Sequence, residues 1–432
     1  MCGGRPVAHE NATHRSPAWR WHWFNINRAR REVKPITGTE RLTAVALTDA
    51  MWHPETASIA SVPTLTPTRN STDPGQHRPE RRRPGSTAPG IPESGHTAPE
   101  GPESPTLTTT ALPLLPPVQI YRAAKRIRDA AVRTPLRHSP ALSAIAGCDV
   151  YLKLETEQIT GSFKLRGALN TLLSMDEDSR RRGVVASSAG NHGLGVAYAA
   201  RATSAPATLF LPRAAPLVKK EGIAALGAHV DDSAPDYDAA MVLARAHALE
   251  HGIPFINPCL GDPLLAGQGT VALEILEELP ELRTVLVCVG GGGLLGGMGA
   301  FLRPVAPDVR IVGAQAENTA AMSRSLAAGR VVDIPHLPTL ADGLAGQIDD
   351  EALEIGRATL DEIHTLSEAE IGAAIAWLHD NEGVTAEGAG AVAVGLILHG
   401  RLTSAPGPIV AVASGGNIDR GVLDGLLADS GR

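Results

Sequence analysis

Aromatic residues are scarce in this 432-residue chain, at 3% of positions, and cysteine is scarcer, with Cys2, Cys148, Cys259 and Cys288 far apart. No C-x-x-C spacing occurs, which argues against a disulfide framework or a thiolate zinc site and makes a reducing cytosol the expected setting. Neither sign of charge dominates: 39 Lys+Arg face 46 Asp+Glu, a formal net charge of -7. That mildly acidic balance gives no reason to expect nucleic acid or an anionic membrane as partner. Long apolar runs are missing too. The longest uncharged stretch, Thr284 to Leu302, holds seven glycines, and each costs about 1 kcal/mol inside a helix. It reads as a buried strand, a glycine loop and a helix start, not a membrane span. With 43% hydrophobic and 20% charged residues, the chain as a whole is neither disordered, coiled-coil nor collagen-like.

Two unlike parts share the chain. Residues 1–120 carry 13 Lys+Arg and 10 Asp+Glu, which is +3 and leaves -7 - 3 = -10 for the rest. The first 117 residues hold 17 of the 33 prolines and four of the five tryptophans. Proline-dense polar sequence buries too little apolar area to offset chain entropy, so 1–114 is expected to be a disordered extension. Within it, Trp19 to Arg31 is basic and aromatic, suited either to a solvated tail or to a surface contact. No apolar stretch of the needed length follows those arginines, so a secretory signal is not expected.

From Pro117 a regular alternation sets in. Tyr121–Val132 predicts an amphipathic helix and Asp149–Leu154 a strand. Further apolar strands are expected at 183–187, 207–211, 253–257, 284–289, 309–314 and 408–413. Helices are expected at 237–250, 271–279 and 368–379, the last opened by a Ser367/Glu370 capping box. Apolar strands separated by helices predict mostly parallel sheets covered on both faces. The resulting expectation is an α/β fold of two lobes over 115–432, three-layered αβα.

Four strand-end segments carry polar or glycine-rich chemistry. Thr160 to Ala168 places Lys164 behind Gly161 and beside Phe163. A desolvated lysine there is a nucleophile toward an aldehyde, and an exposed one merely solvates a helix. Ser187 to Gly193 offers consecutive amides to an anion at a helix start, or forms a plain turn. Gly290 to Gly293 with Leu294 removes every Cβ that keeps a phosphate from the main chain. No Lys-Ser/Thr follows, which disfavours a nucleoside triphosphate; a dinucleotide site stays open, with Glu317 near the required distance. Ser414 to Asp419 presents a hydroxyl at the end of another strand.

Together and in this order, the four segments resemble pyridoxal-phosphate enzymes of the threonine/serine dehydratase and serine racemase family. Lys153-Leu154-Glu155, Arg133 to Leu136, Ala341 to Ala345 and Ala386-Glu387-Gly388-Ala389-Gly390 support the likeness, which spans Pro117 to the C-terminus. It implies a fold-type II architecture with a small lobe of about 161–264 inserted in the large one, pyridoxal 5'-phosphate as cofactor, and a homodimer. It further implies that Lys164 holds the cofactor and that Phe163 packs on its ring. Asn191 bonds the phenolic oxygen, Gly290, Gly291, Gly292, Gly293 and Leu294 bind the phosphate, and Ser414 faces the ring nitrogen. Ser188, Ala189, Gly190, Asn191 and His192 take the substrate carboxylate.

The implied activity is an ammonia-lyase converting L-threonine or L-serine to a 2-keto acid and ammonia. Ala189 stands where the family's serine racemases carry a second serine, which favours dehydration over racemisation. Leu194 stands where many members have a polar residue. Ala316 and Met322 replace the acidic pair that holds a divalent ion in racemase relatives, so no metal is expected there. Only about a dozen residues follow Asp419, so the regulatory domain of biosynthetic threonine dehydratases, and isoleucine inhibition with it, is not expected. The alternatives are a lyase for another β-hydroxy or osmolyte-derived amino acid, a serine racemase, a non-catalytic ligand sensor, or a dinucleotide oxidoreductase.

Overall fold

The structure, a computed structural model, describes residues 115–402 and 405–429; the expectations placed on 1–114 lie outside the described residues. In chain order the strands are β1 (Leu136–His138), β2 (Val150–Leu154), β3 (Val184–Ser187), β4 (Ala207–Pro212) and β5 (His229–Ala234), then β6 (Thr284–Cys288), β7 (Arg310–Ala316), β8 (Glu362–Leu366) and β9 (Ile409–Ala413). Six of them form one sheet in the order β1-β2-β9-β6-β7-β8, and β3-β4-β5 form a second. Only the short β1 runs antiparallel, against β2; every other ladder is parallel.

Val285, Leu286 and Val287 of β6 and Val410, Ala411 and Val412 of β9 are fully buried. Helices cover both faces of these central strands, as uninterrupted apolar runs require. A separate core gathers Leu165, Leu169, Val184, Val196, Leu209 and Ile223 around the smaller sheet. The uncharged 284–302 stretch resolves into β6, the glycine loop and the helix Gly293–Val305. No helix among the described residues is long and apolar enough to cross a membrane.

Three expectations shift. The strand expected at 253–257 shrinks to a single bridge, Val185 to Phe255. Pro254 has no N–H to give, so it can only accept, from the Val185 amide at 2.9 Å. The first helix runs Pro117–Ile127 instead of 121–132, with Pro117 in its first turn, where proline is tolerated. The helix expected at 271–279 begins at Asp262. Its early glycines are there for close packing: a Cβ on Gly269 would lie 2.6 Å from the Gly297 carbonyl of the neighbouring helix. Ser367 and Glu370 do form the capping box.

The strand order fixes where a ligand goes. From β6 the chain winds outward through β7 and β8, then returns to the other side of β6 as β9. Loops leaving the carboxyl ends of β6 and β9 therefore diverge and leave a crevice between them, the switch point at which open α/β sheets bind ligands.

Candidate active site

A cavity of about 2370 Å3 opens there. The loops after β6 and β9, the loop after β3 and the turn that follows β2 all reach it, so the four segments singled out in the sequence meet in one place. Phe163, Lys164, the whole Ser188–His192 run, Gly290 to Leu294 and Ser414 line this same cavity.

Lys164 opens the helix Lys164–Ser174. The turn before it is strapped to the loop after β9: Phe163 N donates to Ser414 O at 3.1 Å and Gly416 N to Gly161 O at 2.9 Å. Gly161 takes a positive φ of 74°, and any Cβ there would collide with Asn417. The Lys164 side chain is half-buried, its Nζ donating to the Pro258 carbonyl at 2.9 Å and lying 5.2 Å from the centre of the Phe163 ring.

The glycine loop is pressed against a second segment. A Cβ on Gly291 would lie 2.7 Å from Cys259 Sγ, and one on Gly293 would lie 2.9 Å from the Cys259 carbonyl. Asn257 Oδ1 holds that segment in place by accepting from the Cys259 and Leu260 amides at 2.8 and 2.9 Å. Gly293 starts a 13-residue helix, so the loop's N–H groups gather at its positive end.

Burial sets the charge of the remaining groups. His192 Nε2 faces the Ile256 carbonyl at 3.0 Å; a carbonyl only accepts, so that nitrogen carries the proton. Its Nδ1 is buried and has no hydrogen-bond partner among the described residues. Burial, helped by the nearby Lys164 charge, pushes His192 down to about 3, and the ring is neutral. Ser414 Oγ donates to the Ala389 carbonyl at 3.1 Å and accepts from the Cys288 thiol at 3.3 Å. Burial pushes Cys288 up to about 11, so it stays a thiol and a donor.

Asn191 is held from both sides: its Oδ1 accepts from Asn417 Nδ2 at 2.7 Å, and its Nδ2 donates to Glu387 Oε1 at 2.5 Å. Glu387 is buried, lines the cavity, and is pushed up to about 7, first by burial and then by the Asp342 charge. Glu387, Asn417, Cys288 and the Pro258 carbonyl were not among the site residues expected from sequence. The one legible signal was Glu387 itself, a solitary charge inside the run Ala386 to Leu398. Ala316 and Met322 are both fully buried; Met322 packs against Gly356. Among the described residues no cluster of three His, Cys, Asp or Glu is placed to hold a metal ion.

A lysine and a glycine loop at a helix start line one cavity at the switch point of a parallel sheet, an arrangement of an α/β enzyme suited to an anionic ligand. The family follows from comparison. A model described as "Pyridoxal-phosphate dependent enzyme" matches residues 127–415, and the chain belongs to that family. An L-threonine ammonia-lyase of Thermotoga maritima is 41% identical over 309 residues, 71% of this chain and 77% of the relative. Maize serine racemase superposes with a TM-score of 0.70 at 31% identity, covering 73% of this chain and 98% of the other. The processed threonine deaminase isoform 2 of Solanum lycopersicum gives 0.67 at 29%, covering 74% and 97%.

The cofactor of this family is pyridoxal phosphate, and the cavity fits it. The glycine loop offers amides with no Cβ in the way, and Nζ of Lys164 and the Asn191 amide lie in the same chamber.

Proposed function

We propose that the protein is an ammonia-lyase acting on L-threonine or L-serine, with Lys164 as the residue that carries the cofactor and then serves as general base. One observation supports this above the others: the Lys164 amine, at the start of its helix, shares its cavity with a Cβ-free loop at a helix N-terminus and with the Ser188–His192 amides. The ammonia-lyase and deaminase relatives point to the same reaction.

When bound, pyridoxal phosphate supplies an electron sink that acidifies the substrate's α-carbon. The chain's own residues do the rest. Gly290 to Leu294 donate amides to the phosphate, and Phe163 walls the ring. Ser414 meets the ring nitrogen as a neutral hydroxyl, held by Ala389 and Cys288. Neutral Ser414 does not fix a full proton on that nitrogen as a carboxylate would, which favours early loss of the β-substituent. Ser188 to His192 orient the carboxylate through main-chain N–H groups. Lys164 Nζ takes the α-proton; the β-hydroxyl departs with one proton as water. Hydrolysis of the remaining enamine consumes that water and gives a 2-keto acid and ammonia. Ala189, which lines the cavity, has no group to return a proton from the opposite side, and this favours elimination over racemisation.

The test is keto-acid release from L-threonine and L-serine by the purified protein, beside a Lys164→Ala variant. Release from either amino acid by the parent and none by the variant is expected. Racemisation without keto acid would overturn the reading.

A further inference from the structure

We propose that Glu387 is a proton-holding positioning residue of this site: its carboxyl, pinned by the Asn191 amide, sets through Asn191 the charge tolerated at the cofactor's phenolic oxygen. The proposal rests on the function proposed above, in which Asn191 faces that oxygen.

Three geometric facts carry it. First, among the described residues the Glu387 carboxyl accepts from one donor, Asn191 Nδ2 at 2.5 Å, and Glu387 lines the cavity. Second, its position is fixed: its own N–H donates to Gly415 O at 3.1 Å, and a Cβ on Gly415 would lie 2.5 Å from Oε1 and 3.2 Å from Asn191 Nδ2. Glycine at 415 thus makes room for the carboxyl against the amide. Third, Asn191 cannot turn away, because Asn417 Nδ2 bonds its Oδ1 at 2.7 Å and the Thr160 carbonyl at 2.8 Å. Asn191 Nδ2 has two hydrogens; Glu387 takes one and the other is left for the cofactor.

The charge of Glu387 then decides how that amide is shared. An ionised carboxylate draws the Asn191 N–H into a charge-assisted bond and sets a negative charge next to an oxygen that is itself to be anionic. A neutral acid does neither. The charges around Glu387 are Asp342 from its loop, which resists ionisation, and Lys219 and Lys164 from two different helices, which assist it; the Cys288 thiol in the same chamber is neutral. Burial outweighs the lysines, so Glu387 changes charge near neutrality.

The experiment follows the visible absorbance of the cofactor-loaded full chain from about pH 5 to about pH 9, for the parent, Glu387→Gln and Glu387→Asp. Gln keeps an acceptor for Asn191 but cannot ionise. The proposal predicts an inflection near pH 7 in the parent, its absence in Glu387→Gln with cofactor still bound, and its return at a shifted midpoint in Glu387→Asp. A parent and Glu387→Gln with the same inflection, or a parent with none, would overturn it. The infrared band of protonated carboxyl in the cofactor-free parent needs no variant: its loss near pH 7 supports the proposal, and its absence already at pH 5 contradicts it. Failure of the parent to bind pyridoxal phosphate would instead sink the function on which the proposal rests.

Discussion

Burial at single residues converts ordinary side chains into groups with fixed protonation. His192 is the sharpest case, held near 3 against an ordinary 6.5. Below pH 6.5 the unfolded chain binds a proton that the folded one refuses, so stability is lost as pH falls from 6.5 toward 3. Linkage puts the loss between pH 7 and pH 5 at about 2 kcal/mol. Urea unfolding at those two pH values should show it, and His192→Gln should remove that share of the slope. Cys288 gives a second prediction. Its thiol donates to Ser414 Oγ, whose own hydrogen goes to the Ala389 carbonyl. Cys288→Ala removes that bond and some packing, which costs about 1–2 kcal/mol. Denaturant midpoints check this, and an unchanged midpoint would show that the thiol does not support Ser414.

Between elements, a buried charge cluster locks the lysine's helix in place. Arg166, two residues after Lys164, reaches Glu155 at 2.8 Å and Glu274 at 2.6 Å, and Lys153 meets Glu274 at 2.7 Å. Two positive and two negative groups balance, joining that helix to the end of β2 and to the helix Asp262–Glu278. Burial works against the Glu274 charge, but Arg166 and Lys153, by charge and hydrogen bond together, outweigh it and hold the carboxyl below its ordinary value. Arg166→Met would leave Glu155 without an ionic partner and Glu274 with Lys153 alone, and should cost about 3–5 kcal/mol, measured by urea unfolding. The glycine loop is equally intolerant. Gly293→Ala forces the Cys259 carbonyl away and should weaken cofactor affinity by about tenfold or more, an amount equal to about 1.4 kcal/mol; spectroscopic titration reads it.

The same scale explains what was legible in the sequence. Central strands such as β6 and β9 are apolar throughout and could be read directly. The three strands that escaped notice, β1, β5 and β8, are all sheet edges. His229–Ala234 is mostly exposed and holds two aspartates, and Glu362–Leu366 is half-buried, so neither presents an apolar run. Edges keep polar residues against unwanted pairing. Lys164 and the glycine loop were legible because each lies within one local pattern. The Glu387 charge stood out in its apolar run, but the contacts of Glu387 and Asn417 were not legible, because what they touch comes from more than a hundred residues away: Asn191 is 196 positions from Glu387 and 226 from Asn417.

For the whole molecule, every residue given a part in the proposed site lies between Thr160 and Asn417, all but Gly416 and Asn417 inside the family match of 127–415. A protein beginning at Leu115 should therefore bind pyridoxal phosphate and release keto acid at a rate within about twofold of the full chain. A loss of tenfold or more would assign residues 1–114 a part in the reaction. The architecture makes its own demand, since loops from both sheets must stay in register around one amine. The most direct measurement is the absorbance of the loaded protein together with its Lys164→Ala form. A visible band in the parent that vanishes on this substitution, along with keto-acid release, is the predicted result. An identical band in Lys164→Ala would contradict the account, because the cofactor would then be held by some other group.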